Sequence, residues 1–251
     1  MGIIYQANRG LIRDYPEETV RYEDAMIEAG KVAAEVKLAP LSSAEAKRVI
    51  LKLDTLAMEK ANPLIASIVA EEVQSIITLV RMVKAETKAE FMGILGSGAN
   101  LDICWLRAKH VGSSLLNSEL TASKGLYGGT SGGVLSWLYT FTAGTSVDMI
   151  PSQKMAKTAG VIHLGFMDPI EVPKVEAVQF RIANIPTPAQ TLNFNVRLSF
   201  GTESLPVARL EKPVIYGPDK LQQVTVFPNI SGDSKLQPIS FLVAKAEDLV
   251  L

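Results

Sequence analysis

Residues 62–95 form the longest uninterrupted helix-like run in the chain, and they constrain the fold more than any other stretch. Asn62 can cap a helix, Pro63 suits its first position, and Gly93 and Gly96 can end it. A single helix here would reach about 45–50 Å, longer than a small domain is wide. On a helical wheel Leu64, Ile65, Ile68, Val69, Val73, Ile76, Leu79, Val80 and Val83 fall in one wide apolar arc. That arc is too wide for one partner. The expected beam is covered by preceding helices on one side and by a β-region or another subunit on the other.

Glu72 interrupts the pattern. It falls inside the apolar arc, between Ile65, Ile68, Ile76 and Leu79. An unpaired carboxylate there is costly, so pairing with an Arg or Lys is expected. A Glu72 open to a cavity or to a neighbouring chain would instead mark a functional position.

Two helices are expected before the beam. Residues 16–38 open with Pro16, Glu17 and Glu18, acidic residues in a first turn, and stop before Pro40. Ser42 and Glu45 then match a capping box, and Val49, Ile50, Leu53, Leu56 and Ala57 follow at helical spacing. Residues 1–15 lack any period and read as an extended arm.

Beyond the beam the texture changes. Seven glycines lie between residues 112 and 144, around an aromatic cluster of Trp137, Tyr139 and Phe141. Residues 134–142 can form a strand with Leu135, Trp137, Tyr139 and Phe141 on one face, and 101–110 can be helix or strand. From residue 159 the texture is β. Residues 191–200 alternate apolar and polar without a fault, and Val178, Phe180 and Ile182 alternate with Gln179 and Arg181. Further strands are expected at 160–166, 205–210, 214–216, 222–227 and 239–244, with turns at 217–220 and 231–234. The expected fold class is therefore α+β: an N-terminal helical unit of about three helices, one long, followed by a C-terminal antiparallel β-sandwich, with a jelly roll as one form. The division is a 1–15 arm, a 16–95 helical unit, a 96–158 Gly/Ser-rich connecting region and a 159–251 β-sandwich.

The residues argue against several kinds of chemistry. With 25 Lys and Arg against 26 Asp and Glu, no global basic field for nucleic acid exists. Cys104 is the single cysteine, so neither an intramolecular disulfide nor a cysteine metal cluster can form. His110 and His163 stand far apart without ligand-spaced neighbours, which disfavours zinc. Cys104 and His110 are six apart and would point to different sides of a helix, a poor thiol dyad. The glycines at 93–98 and 127–133 lack Rossmann spacing and the P-loop Lys-Ser/Thr. Asp168 with Glu171, or Glu71 with Glu72, are carboxylate pairs without an evident geometry.

The opening residues lack a basic then apolar leader, and charges interrupt every long apolar run, so a soluble protein made in the cytoplasm is expected. A hydrophobic content of 47% with a net charge of −1 favours association. The functional expectation is a non-enzymatic self-assembling structural protein, such as a virion coat or shell subunit, with itself as partner and no cofactor, metal or catalytic set. The alternative is a ligand- or partner-binding module using the sandwich loops, and an enzyme with dispersed residues stands third. Glu72, Trp137, Tyr139 and Phe141 are the candidate interface or buried-charge residues.

Overall fold

A computed structural model describes residues 37–94, 98–111, 113, 137–168, 174–182, 185–186, 190–191 and 207–249. The expected arm at 1–15, the helix before residue 37 and the alternating run beyond residue 191 lie outside the described residues.

Helix α1, Ser43–Glu59, starts at the expected capping box: Glu45 N–H donates to Ser42 Oγ at 3.2 Å, and Ser42 N–H donates to the Glu45 carboxylate at 2.8 Å. Asn62 Oδ1 then caps α2, Pro63–Glu71, accepting from the N–H of Leu64 at 2.9 Å and of Ile65 at 3.4 Å.

The single long beam does not form. The run breaks at Glu72 and resumes as α3, Val73–Thr87, bent by 61° from α2. Neither Gly nor Pro stands at the break; Glu72 itself leaves helical geometry at φ −103°, ψ 14°. Both limbs touch α1 and the strand that carries Arg209, and α3 reaches further, along the strands beginning at Gly160 and Gln237. With the bend, the apolar residues of both limbs share one core with the central strands. The helical run also stops before Gly93. Lys88 turns left-handed at φ 59°, and the following backbone is diverted to Leu101, whose N–H donates to Glu90 O at 2.8 Å and whose carbonyl accepts from Met92 N–H at 3.0 Å.

Eleven strands follow among the described residues: β1 Leu101–Trp105, β2 Tyr139–Phe141, β3 Val147–Lys154, β4 Gly160–Met167, β5 Val175–Ile182, β6 Ile185–Pro186, β7 Gln190–Thr191, β8 Val207–Tyr216, β9 Leu221–Pro228, β10 Gly232–Ser234 and β11 Gln237–Lys245. A single-turn helix, α4 Ala108–Val111, follows β1, and a 3₁₀ turn, Ala246–Leu249, follows β11. The β-structure thus begins at Leu101, well before residue 159. The expected strands at 205–210 and 214–216 are one strand, β8, and Gly232–Ser234 is a short strand rather than a turn.

All strand pairings are antiparallel, and they nest: β1 with β11, β2 with β10, β3 with β9, β4 with β8, β5 with β6 and β7. Strands early in this order therefore pair with strands late in it. Cross-pairings of β11 with β4 and of β5 with β9 give a four-stranded sheet of order β1-β11-β4-β8 and a five-stranded sheet of order β3-β9-β5-β6 with β7 also on β5, while β10 and β2 form a separate two-stranded sheet.

Burial reveals the layers. Strand β9 alternates buried and half-exposed residues, as an outer sheet should, whereas every residue of β1 and β4 is buried. The first sheet is central. On one face Val161, Phe166, Leu210 and Leu242 share a core with Val178, Phe180, Val224 and Val226 of the second sheet. On the other face Ile162, Leu164, Phe241 and Val243 meet Leu53, Ile68, Ile76, Leu79 and Val83 of the helices. The helix layer sits close because Gly160 offers no side chain: a Cβ there would lie 2.5 Å from Leu79 Cδ1.

Candidate functional site

The break at Glu72 places two consecutive carboxylates against the central sheet. Arg209, on β8 opposite Gly165, donates from Nη2 to Glu72 at 2.5 Å and from Nη1 to Glu71. Ser75 donates to the second Glu72 oxygen at 3.0 Å, and Ser67 donates to Glu71 at 3.0 Å. The Glu72 side chain is 12% exposed against 52% for Glu71. Its expected partner therefore exists, and it comes from the sheet. The Glu72 hydrogen bond, then that of Glu71, raises the Arg209 pKa, and Arg209 followed by Ser67 lowers that of Glu71. An acid or base working near neutral pH needs a group poised there. This cluster instead holds its arginine and Glu71 charged, which suits a fastener between layers.

Two further charged contacts hold α1, one to α3 and one to β1. Burial alone would raise the Glu45 pKa, but hydrogen bonds from Lys84 at 2.7 Å and from the N–H groups of Ser42 and Phe91 hold it at about 2. Lys52 of α1 reaches the fully buried Asp102 of β1 at 3.2 Å; burial keeps that carboxyl above its ordinary pKa despite the Ile103 N–H and Lys52. Beside it Trp105 donates from Nε1 to the Leu56 carbonyl at 3.0 Å, with the Lys60 ammonium 5.0 Å from its ring centre. Sequence reading missed Asp102, Trp105 and Arg209. The lone Asp in the apolar run 101–104 was a usable signal; Arg209 carried none.

The aromatic candidates are elsewhere. Tyr139 and Phe141 stack at 5.0 Å, both buried in the core between the sheets, with Trp137 half-buried at its margin. Burial raises the Tyr139 phenol pKa. The neighbours of Glu72, namely Ile68, Val73 and Ile76, belong to the other core, so the structure does not bring the four candidates together. Leu135 lies outside the described residues, as do Glu171 and residues 127–133.

Among the described residues, the histidines, the cysteine and Asp168 are buried. His163 is fully buried between Phe180 and Tyr216, with Nδ1 2.7 Å from Ser240 Oγ, and burial pulls its pKa down to about 3. His110 Nδ1 accepts from Arg107 N–H at 3.1 Å; burial, Lys109 and Arg107 lower it to about 4. Burial pushes the Cys104 thiol up to about 12, far from an activated thiolate. Asp168 is buried and accepts from Ser234 Oγ at 2.7 Å. Among the described residues no group of three His, Cys, Asp or Glu could hold a metal ion, and no single helix is long and apolar enough to cross a membrane.

No protein-family model matches the chain, and no curated protein matches it. Solved structures similar in part include the mosquito-larvicidal Cry4Aa toxin from Bacillus thuringiensis, at 7% identity and a TM-score of 0.24 over 41% of this chain and 18% of that one. The CBM36-1 domain of a multidomain xylanase from the hindgut metagenome of Trinervitermes trinervoides matches at 14% identity and a TM-score of 0.26, over 58% of this chain and 97% of that one. Dimeric latent PorU from Porphyromonas gingivalis matches at 12% identity and a TM-score of 0.25, over 62% of this chain and 14% of that one. The chain thus spans less than a fifth of two of these. At such scores the likenesses carry no functional argument.

Proposed function

We propose that this chain is a non-enzymatic structural subunit that assembles with its own copies into a closed shell, with a virion coat as the specific form. The observation that carries the reading is the nested strand pairing, first with last and inward to β5 with β7, split into sheets of order β1-β11-β4-β8 and β3-β9-β5-β6. A long hairpin wrapped into two sheets is the plan of a jelly roll, an architecture that shell proteins share with lectins and other folds. Sheet edges and the outer face of the second sheet, which the helices do not cover, would serve neighbours in a tiling. Fold alone does not specify function. The second support is chemical: His110, His163, Cys104 and Asp102 are buried, and Glu72 is engaged by Arg209 and Ser75. A soluble subunit made in the cytoplasm before assembly fits this reading.

Partner binding by loops is the second reading. It is favoured by Leu138 and Ile230, 54% and 39% exposed, beside the short β2–β10 ladder. Multi-angle light scattering together with negative-stain microscopy, across a concentration series, separates the two. The shell reading expects uniform closed particles containing many copies. A monodisperse monomer at high concentration overturns it.

A further inference from the structure

The outward face of α1 carries an apolar stripe that no other described residue covers. Ala44, Leu51 and Met58 are spaced by seven and lie along one side of the helix, drifting by about 20° per step. All three are exposed, Leu51 at 55% and Met58 at 48%, on the side opposite the buried Val49, Leu53 and Leu56. Lys47 and Asp54, also seven apart, flank the stripe on one side only. Among the described residues neither forms an ion pair. Asp54 is half-buried.

This pattern is complementary to itself. We propose that the stripe docks on the same stripe of a second copy of the chain, with the two α1 helices antiparallel about a two-fold axis at Leu51. Leu51 then meets Leu51, and the small Ala44 of each copy meets the large Met58 of the other. In an antiparallel pair like flanks face each other, so Lys47 of each copy meets Asp54 of the other, giving two reciprocal ion pairs. A parallel pair would bring unlike flanks together, setting Lys47 and Asp54 of one copy against Arg48 and Thr55 of the other, and would lose the reciprocal ion pairs. One helix pair buries less surface than a standard stable interface, which marks this as one contact of several in an assembly. The inference deepens the self-assembly reading and rests on it, naming one of its surfaces.

The test uses the full chain carrying Leu51→Cys, a substitution at an exposed position, with wild type as control because its single cysteine, Cys104, is buried. Mild oxidation is expected to convert most Leu51→Cys protein to a disulfide dimer on a non-reducing gel and to leave wild type unlinked. Lys47→Asp or Asp54→Lys alone should lower the cross-linked yield severalfold, and the two together should restore it. A wild type that is oligomeric by light scattering, with a Leu51→Cys variant that does not cross-link, overturns this contact and leaves self-assembly standing. A monodisperse monomer overturns both. A monomer whose introduced thiol resists labelling, covered by another part of its own chain, also overturns the two-fold contact.

Discussion

Arg209 on β8 closes on Glu72 at the break between α2 and α3, joining positions 137 residues apart in sequence. The pair fixes the corner of the helix layer to the edge of the central sheet, where β4 and β8 lose register around Gly165. Its location explains two facts together. The helix bends where no Gly or Pro demands it, and a carboxylate tolerates a position surrounded by Ile65, Ile68 and Ile76.

Removing one partner should cost more than removing both. Arg209→Met leaves Glu72 shielded from water without its cation, and is expected to destabilise the fold by about 1–3 kcal/mol, below the fully buried case because Arg209 is 33% exposed. Adding Glu72→Gln should recover part of that loss. Urea titrations of both variants measure it, and equal losses in each would refute the pairing as a stability element.

Close approach of α3 to β4 depends on Gly160. Its replacement by Ala places a methyl against Leu79 Cδ1 and Val83 Cγ2 and is expected to cost about 1–3 kcal/mol. In a Leu79→Ala background the same change should cost much less, since the crowding atom is gone. Additive losses in a double-mutant cycle would argue against this contact.

Acid should weaken the fold in two windows. His163 and His110 are held neutral, at about 3 and about 4 against 6.5 unfolded, so the unfolded chain binds more protons in between. Their contribution is full above pH 6.5 and declines below it, by about 2 kcal/mol for each histidine near pH 5. Glu45 acts lower: its contribution is full above its unfolded value of 4.5 and is lost as pH falls toward about 2. His163→Gln, which can keep the Ser240 hydrogen bond, should remove about half of the first window, leaving the His110 share, and Glu45→Gln should flatten the second. Chemical denaturation at a series of pH values reads both slopes.

Cys104 should behave as a core atom. With its thiol buried and its pKa pushed up to about 12, a thiol reagent is expected to label it only at the rate of opening or unfolding. Stoichiometric labelling of the native protein within seconds would contradict this placement.

Local rules determined much of what the sequence revealed. The capping box at Ser42 and Glu45, the Asn62-Pro63 helix start and the alternation in β5 and β9 were legible because each depends on neighbours a few residues away or on one wet face. The need for a partner at Glu72 was legible for the same reason: desolvation is a property of the site alone. The tertiary structure decided the rest. Strand β1 showed no alternation because both its faces are buried, and it pairs with β11, near the other end of the chain. The run at 62–95 held no breaker, yet it bends, because the packing of two limbs on a sheet and the reach of Arg209 outweigh local helix preference. Tyr139 and Phe141 went inside for a comparable reason: β10 pairs with their strand and closes the core over them. Sequence alone set which elements could form and which charge needed an answer, and long-range packing chose where the helix turned and which residue answered.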